Sequence, residues 1–254
     1  MSSPAKVLGV IGGSGLCSLG SLAVEETLVM STPYGSPSAP LLRGHLGGLR
    51  LLFLPRHGPD HAIAPHRINY RANLWALREA GVREVVAVST VGGIAPGMAA
   101  GSLVLPDQII DYTWGRESSF FDGINAPLQH VDFTRPFSAA LGLRLRKAAA
   151  TAGVALLEGG IYGATQGPRL ETAAEIRRMA HDGADLVGMT GMPEAVLARE
   201  LGLEYAMLAA VVNPAAGCGD NQDGISMERI REVSAQVMRD VVSLLAMMGA
   251  DDGG

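Results

Sequence analysis

Apolar and polar positions alternate along the chain with two periods, one typical of strands and one typical of helices. Residues 6–11 form a short apolar run that ends in glycines, which predicts a buried strand turning sharply out of a sheet. Residues 40–46 and 49–55 flank Gly47-Gly48, a two-residue turn signal. These two segments therefore predict an antiparallel pair of strands.

A helical period starts after this pair, and extended and helical segments then alternate to the end of the chain. Apolar positions at helical spacing predict a helix over about residues 66–80, and Gly81 is a natural end for it. Further strands are predicted at residues 84–89, 102–112, 155–162, 184–189 and 204–213. Further helices are predicted at residues 138–152, 171–181, 193–201 and 226–248. Strands that recur after helices indicate the α/β class.

The length of 254 residues, 48% of them hydrophobic, suits one α/β domain with a core of ordinary size. We expect this domain to cover residues 1–254, with residues 1–5 and 249–254 as flexible ends. The Gly-rich stretch 215–224 follows a predicted strand, so we expect a mobile loop there that could act as a lid.

Charge and cysteine content narrow the classes of partner. With 20 basic and 25 acidic residues and no basic block, the chain lacks the charge pattern of a nucleic-acid-binding protein, so we expect small-molecule partners. Cys17 and Cys218 are far apart, which predicts free thiols in a reducing compartment. Because no apolar run reaches about 18 residues and no secretory pattern is present, we expect no membrane contact and a cytoplasmic location.

Groups that donate hydrogen bonds to anions follow three of the predicted strands. Residues 12–15 (Gly-Gly-Ser-Gly) let backbone N–H groups approach a ligand, and Ser14 adds a hydroxyl. Residues 56–58 (Arg-His-Gly) add a guanidinium fork and an imidazole, and residues 89–93 (Ser-Thr-Val-Gly-Gly) add hydroxyls. Taken alone, the first and third segments fit an ordinary turn equally well. Together the three segments indicate an oxyanion site, which phosphate fits.

Three histidines, His57, His61 and His66, lie close together in the chain and could suggest a metal site. Their spacing puts no two of them on one helical face, and no nearby Cys or Glu completes a ligand set. We therefore expect no metal, and we expect surface or packing roles for His61 and His66.

Polar residues also follow later segments, each with a functional and a structural interpretation. Glu171 starts a predicted helix after the rigid Gly167-Pro168 turn, where it could bind a ligand or complement the helix dipole. Met189-Thr190 could face a sugar and Glu194 could accept a hydrogen bond from it, although core packing and a helix-start Glu also fit. Asn213 ends an apolar strand, where a polar residue needs a backbone or ligand partner.

In this order, the segments resemble the 5'-methylthioadenosine phosphorylases and the related trimeric purine nucleoside phosphorylases. The resemblance covers nearly the whole chain and is carried by Gly12-Gly13-Ser14-Gly15, Arg56-His57-Gly58, Asn69-Tyr70-x-Ala72-Asn73, Gly167-Pro168-Arg169 and Met189-Thr190-x-x-Pro193-Glu194. Each motif is modest alone, whereas their order and spacing are specific. The fold that the resemblance implies is a single α/β domain whose mixed, twisted sheet is partly closed into a barrel and surrounded by helices.

The resemblance also implies a reaction, phosphorolysis of a purine nucleoside, which uses inorganic phosphate as co-substrate and needs no cofactor. Carried over by position, the residues that would contact phosphate are Ser14, Arg56, His57, Ser89 and Thr190. Met189 would lie against the ribose, and a homotrimer would lend His130 to the neighbouring site. The residues expected to take part in catalysis are Asn213, Glu171 and His57.

Two departures from the methylthioadenosine enzymes concern the purine. Asn213 stands where those enzymes have an Asp, and Leu170-Glu171-Thr172 follows the pattern of phosphorylases for 6-oxopurines. A 6-oxopurine offers N1–H to Glu171, while the Asn213 amide can serve O6 and N7. With a 6-aminopurine, Glu171 would face an unprotonated N1 at a cost of about 1–3 kcal/mol. We therefore expect hypoxanthine to be preferred to adenine.

At the other end of the ribose, the resemblance places Ile225 and Met227 where enzymes for 5'-hydroxyl nucleosides use a His. An apolar pair packs on a methylthio group and cannot satisfy a buried hydroxyl, although both side chains could instead be core residues. The expected substrate is S-methyl-5'-thioinosine, cleaved to hypoxanthine and 5-methylthioribose 1-phosphate. The alternatives are a methylthioadenosine phosphorylase, a broader purine nucleoside phosphorylase, and a non-catalytic nucleoside-binding protein.

Overall fold

The computed structural model describes residues 7–13, 20–124, 126–221 and 224–249, which form eleven strands and five α-helices. The strands are β1 (Leu8–Gly12), β2 (Ala23–Leu28), β3 (Leu41–Leu46), β4 (Leu49–Pro55), β5 (Glu84–Gly93), β6 (Leu103–Leu105), β7 (Gln108–Asp111), β8 (Leu156–Glu158), β9 (Ile161–Ala164), β10 (Leu186–Gly188) and β11 (Glu204–Pro214). The helices are α1 (Tyr70–Glu79), α2 (Ala139–Ala152), α3 (Ala173–His181), α4 (Gly191–Glu200) and α5 (Met227–Met247).

Four parallel strands form the centre of the sheet. β1 pairs with β4 on one side and with β5 on the other, and β11 pairs with β5 along its whole length. β10 runs antiparallel to β5 and occupies its edge beyond the end of β1. Since parallel strands end at the same edge of a sheet, the residues that follow β1, β4 and β11 meet there.

The sheet curls back on itself, so that a ring of strands starts and ends at β5. β11 pairs with β6, β6 with β8, β7 with β9, and β9 with β10, which returns to β5. β6 continues into β7 across residues 106–107, and β8 continues into β9 across residues 159–160. The ring is therefore completed by these two bends in the chain and not by one unbroken ladder of hydrogen bonds. This mixed, partly closed sheet confirms the predicted fold class.

Two hydrophobic cores lie on opposite faces of the central strands, because successive strand residues point to opposite faces. One core contains Ala87 of β5 together with Leu77 of α1. The other contains Val88 of β5 together with Leu145 of α2 and Val241 of α5. Burying each aliphatic side chain contributes about 1.5–3 kcal/mol, so the central strands are firmly held from both sides.

Most predicted elements are confirmed, with ends that differ by a few residues. The hairpin at Gly47-Gly48 is formed by β3 and β4. The helix predicted from residue 66 starts later, because residues 65–67 form a 3-10 turn and Asn69 caps α1 by accepting from the N–H of Ala72. β2 was not predicted, since its exposed residues show no alternation of apolar and polar positions.

The predicted ends and loop are described only in part. Residues 1–5 and 250–254 lie outside the described residues, whereas Gly249 follows α5 and is described. In the stretch 215–224, residues 222–223 lie outside the described residues. Within this stretch, the Asn221 side chain donates to the carbonyl of Pro214 at 2.5 Å. The extent of the domain over residues 1–254, its flexible ends and the mobile loop stay predictions.

Candidate active site

A cleft of about 760 Å³ opens where the central strands end, and Gly13 is part of its lining. Nine of the predicted site residues line this cleft: Arg56, His57, Ser89, Glu171, Met189, Thr190, Asn213, Ile225 and Met227. Strand register explains part of this convergence, because Gly92 of β5 pairs with Asn213 on one side and with Val187 on the other. Ser14 lies outside the described residues, and His130 is exposed on a segment that does not line the cleft.

The Arg56 guanidinium is fully buried beneath the cleft. Its Nε and Nη2 donate to the two carboxylate oxygens of Glu194 at 2.6 and 2.8 Å, and its Nη1 donates to the carbonyl of Val88 at 3.2 Å. The Tyr205 hydroxyl donates to the same carboxylate at 2.8 Å. Burial opposes the charge on Arg56, but the adjacent Glu194 carboxylate outweighs burial and holds the pKa of Arg56 above its ordinary value. Arg56 is therefore a charged group in a rigid setting.

This pairing corrects two interpretations of the sequence. The forked face of Arg56, expected to point at a ligand, is occupied by Glu194, and the outer N–H groups of Nη1 and Nη2 are what a ligand could meet. Glu194, considered as an acceptor for a sugar, is buried and bonded to Arg56 and Tyr205. Local sequence carried no signal for the pair, because its members are 138 residues apart.

Gly13 explains why a glycine follows β1. A Cβ at this position would lie 2.8 Å from Arg56 Nη1 and 2.8 Å from the carbonyl oxygen of Val88, distances that real Cβ atoms essentially never show. It would also lie 3.7 Å from the Cα of Ser89. The glycine therefore lets the ends of β1 and β4 lie close against the middle of β5, where a side chain would force them apart.

His57 is buried beside Arg56, with Nδ1 at 2.8 Å from the carbonyl oxygen of Ile63. Since a carbonyl only accepts, Nδ1 carries the hydrogen and Nε2 of the neutral ring is an acceptor. Burial, together with the Arg56 charge, lowers the pKa of His57 to about 4, although the bond to Ile63 opposes this shift. His57 is therefore neutral at pH 7, and an anion placed beside it would raise the pKa again.

Two hydroxyls and two backbone N–H groups meet next to this corner. Ser89 Oγ lies 3.1 Å from Thr190 Oγ1, and both side chains are buried. The Tyr162 hydroxyl accepts from the N–H groups of Thr190 and Gly191 at 3.2 and 3.3 Å. Tyr162 thus fixes the chain where β10 leads into α4, and with it the position of Thr190.

Glu171 is held by a contact that sequence reasoning missed, and Asn213 by a backbone partner, one of the two kinds of partner expected for it. Thr165 Oγ1 donates to Glu171 Oε1 at 2.6 Å. The pairing of β11 with β5 shifts between Val211 and Asn213, which marks a bulge that re-aims the end of the strand. The Asn213 side-chain amide donates to the carbonyl of Pro214 at 2.5 Å. A bulge depends on the pairing partner, so an apolar run in one strand cannot reveal it.

The start of α5 borders the cleft with Ile225, Met227 and Ile230. Met227 is 55% exposed, which argues against the alternative that it is a core residue. This wall is not wholly apolar, because Ser234 also lines the cleft and its buried Oγ has no hydrogen-bond partner among the described residues. A buried hydroxyl without a partner costs about 1–3 kcal/mol, so we expect Ser234 to meet a polar atom of a ligand or a water.

The remaining expectations concern metals, thiols and membranes. Over the described ranges, no three His, Cys, Asp or Glu side chains are grouped as metal ligands. His61, expected to have a surface or packing role, is exposed and lines the cleft. Of the two cysteines expected to be free, Cys218 is a free thiol and Cys17 lies outside the described residues. Of the helices that the structure describes, none is long and apolar enough to cross a membrane.

Comparison with known proteins agrees with this geometry. A probable S-methyl-5'-thioinosine phosphorylase from Xanthomonas campestris pv. campestris is 53% identical over 235 residues, which cover 92% of this chain and 94% of that protein. An S-methyl-5'-thioadenosine phosphorylase from Mycolicibacterium smegmatis is 47% identical over 212 residues, which cover 83% of this chain and 78% of that protein.

A solved structure shares the fold. Methylthioadenosine phosphorylase from Schistosoma mansoni in complex with adenine superposes with a TM-score of 0.91 at 29% identity, covering 98% of this chain and 92% of that one. The model of one protein family, the phosphorylase superfamily, matches residues 7–246. With a match of that extent and relatives of that identity, this chain belongs to the phosphorylase superfamily.

Proposed function

We propose that this protein cleaves S-methyl-5'-thioinosine with inorganic phosphate and releases hypoxanthine and 5-methylthioribose 1-phosphate. The observation that carries the proposal is a single cleft that brings an anion corner at Arg56 and Ser89 together with the Glu171 carboxylate and the Asn213 amide. Membership of the phosphorylase superfamily supports phosphorolysis, and the name of the Xanthomonas campestris relative supports the choice of nucleoside.

Phosphate would bind in the corner beside Gly13. The buried Arg56 supplies a positive charge from below, and the hydroxyls of Ser89 and Thr190 supply donors. His57 Nε2 can accept a hydrogen bond from the protonated oxygen of HPO4²⁻, because Nδ1 is already bonded to a carbonyl. The motif resemblance adds Ser14, which lies outside the described residues, to this proposed set.

Hypoxanthine would be recognised by Glu171 and Asn213. Thr165 donates to one oxygen of Glu171, and the other oxygen can accept from the purine N1–H. One N–H of the Asn213 amide is bonded to Pro214, and its second N–H can donate to N7 or O6 of the base. Adenine lacks the N1–H and O6 that these groups match.

In the proposed reaction, the C1'–N9 bond breaks and its electron pair passes to the purine. Asn213 stabilises the resulting negative charge by donating to N7, and a phosphate oxygen forms the new bond to C1' from the opposite face of the oxocarbenium-like ribose. No covalent enzyme intermediate is required. The protein contributes positioning and electrostatic stabilisation, with phosphate held on the buried Arg56 beneath the cationic ribose.

The ribose would pack on Met189, and the methylthio group would lie against Ile225 and Met227. We also propose a homotrimer in which His130 serves the neighbouring cleft. The segment that carries His130 exposes Trp114 and Leu128, as expected for a subunit interface. A cytoplasmic location remains part of the proposal, and the free thiol of Cys218 is consistent with it.

The second candidate is a 5'-methylthioadenosine phosphorylase. It is favoured by the 47% identity to the Mycolicibacterium smegmatis enzyme and by the adenine complex of the Schistosoma mansoni structure. A broader purine nucleoside phosphorylase is the third candidate, because the unpartnered hydroxyl of Ser234 could serve a 5'-hydroxyl group.

Dependence on phosphate tests the reaction class. Enzyme dialysed free of phosphate should leave S-methyl-5'-thioinosine intact, and added phosphate should release hypoxanthine and the sugar phosphate in equal amounts. Release of hypoxanthine without phosphate would instead indicate hydrolysis. Binding of the nucleoside without turnover under either condition would indicate a non-catalytic binding protein.

A further inference from the structure

Arg116 makes a concentrated set of contacts that no motif indicated. It lies half-buried in the irregular segment 112–138, between β7 and α2. Its guanidinium carbon lies 5.7 Å from the centre of the Tyr70 ring. The N–H groups of Arg116 donate to four backbone carbonyls and two side-chain oxygens: Met189 O (2.9 Å), Met192 O (2.6 Å), Thr165 O (3.1 Å), Gln166 O (2.8 Å), Gln166 Oε1 (3.1 Å) and Tyr70 Oη (3.3 Å).

The four carbonyls belong to two chain segments that leave the sheet side by side. Thr165 and Gln166 follow β9, while Met189 and Met192 follow β10, which pairs with β9. Backbone groups beyond the end of a strand lose their ladder partners and need others when they are buried. A planar guanidinium with five N–H donors can satisfy both segments at once, as a Lys ammonium cannot.

Both segments carry residues assigned to the nucleoside. Met189 itself lines the cleft, and Thr165 donates to Glu171 at 2.6 Å. The segments also touch directly, because a Cβ at Gly167 would lie 2.5 Å from Met189 Sδ. A displacement of either segment would therefore move the ribose contact relative to the base contact.

We propose that Arg116 is a positioning residue, which holds the ends of β9 and β10 together and so aligns Met189 with Glu171 for the nucleoside. The inference rests on the proposed function for the roles of these two residues. Arg116 bonds to backbone carbonyls of the two segments, so its effect is on the alignment of Met189 with Glu171. A misplacement of about 1 Å in such a site can cost about a hundredfold in rate.

The phosphate corner is held by other contacts. Arg56 is fixed by Glu194 and His57 by Ile63. Thr190 follows Met189, whose carbonyl bonds to Arg116, but the N–H of Thr190 itself is held by the Tyr162 hydroxyl. Loss of Arg116 should therefore weaken nucleoside binding far more than phosphate binding, whereas loss of a merely structural contact would lower the amount of folded enzyme without separating the two.

The test compares Arg116→Ala and Arg116→Lys with wild type, and each substrate is varied while the other is saturating. We expect KM for S-methyl-5'-thioinosine to rise at least about tenfold in both variants and KM for phosphate to stay within about twofold. Added guanidinium ion at millimolar concentration should partly restore Arg116→Ala. Arg83→Ala is the matched control, because Arg83 donates to the backbone carbonyls of Arg78 and Val82 away from the cleft.

Equal rises of both KM values, or unchanged KM values with a lower melting temperature, would overturn the positioning role. Calorimetric titration with hypoxanthine and with phosphate separates this outcome from failure of the proposed function. If wild type binds hypoxanthine without turning over any nucleoside, the proposed function fails, and a tenfold loss of hypoxanthine affinity in Arg116→Lys still supports the inference. Unchanged hypoxanthine affinity in that variant overturns it.

Discussion

At the residue scale, Arg56 combines full burial with the proposed role of binding phosphate. A buried guanidinium is stable when a carboxylate compensates it, and removal of one partner from such a pair costs about 3–5 kcal/mol. Glu194 provides this compensation with two bonds, and Tyr205 supports Glu194. Replacement of Arg56 by an uncharged residue would therefore mix loss of binding with loss of folding, so a charged replacement gives the clearer test.

We predict that Arg56→Lys raises KM for phosphate about ten- to hundredfold, the equivalent of the 1.5–3 kcal/mol of a charged hydrogen bond. KM for the nucleoside should change by less than about twofold. Steady-state kinetics with each substrate varied in turn measures both. Arg169→Lys, in an exposed pair with Glu175, is the control and should leave both values unchanged. A parallel rise of both KM values in Arg56→Lys would count against the phosphate assignment.

His57 predicts acid sensitivity of the folded state. With a pKa of about 4 in place of its ordinary 6.5, folded His57 binds a proton less readily than the unfolded chain does. The unfolded state thus holds more protons between these pH values, and the free energy of unfolding rises with pH in this window. The contribution of His57 to the free energy of unfolding is fully present above pH 6.5. It is lost as the pH drops through 4, and this loss amounts to up to about 3 kcal/mol.

Urea unfolding in phosphate-free buffer at several pH values between 4 and 7 measures this loss. His57→Gln should flatten the dependence, whereas His130→Gln, which removes an exposed histidine, should keep the slope of wild type. If His57→Gln is as acid-sensitive as wild type, another group is responsible.

At the scale of elements, the cleft could be predicted where the signal is local. The Gly-rich segment after residues 6–11 and Arg56-His57-Gly58 after residues 49–55 marked the ends of β1 and β4, which meet at one edge of the parallel sheet, whereas β5 continues past Ser89 to Gly93. β2 gave no such signal, since its residues are exposed on an edge strand. Arg116 gave none either, because it lies in an irregular segment and its partners are 46 to 76 residues away.

α5 carries the prediction for the 5' end of the nucleoside. Met227→His should lower the preference for S-methyl-5'-thioinosine over inosine by about tenfold or more, since an apolar contact is replaced by a hydrogen-bonding group worth about 1–3 kcal/mol. The ratio of the two kcat/KM values is the measurement. Leu143→His, which changes an exposed leucine on α2 outside the cleft, is the control. An unchanged ratio in Met227→His would remove Met227 from the 5' site.

At the scale of the whole molecule, the long-range contacts were the least predictable part. Periodicity and turn signals indicated the alternating elements, and the motif resemblance implied the partly closed sheet. The Arg56–Glu194 pair and the ring through β6 to β9 both depend on which surfaces of the fold pack together. The local sequence of one segment carries no signal for the segment that it packs against. The resemblance therefore supplied candidate site residues, and the structure shows how those that line the cleft are held.

The central claim, that the cleft is built for a 6-oxopurine, is tested most directly by the kcat/KM values of the wild-type enzyme for S-methyl-5'-thioinosine and S-methyl-5'-thioadenosine at saturating phosphate. In the proposed complexes, Glu171 would accept from N1–H of the first nucleoside and would face an unprotonated N1 in the second. The unpaired arrangement of Glu171 and N1 costs about 1–3 kcal/mol. This cost corresponds to a ratio of kcat/KM values of about ten- to a hundredfold in favour of the inosine compound. Equal values, or a preference for the adenosine compound, would contradict the assignment of Glu171 and Asn213 to the base.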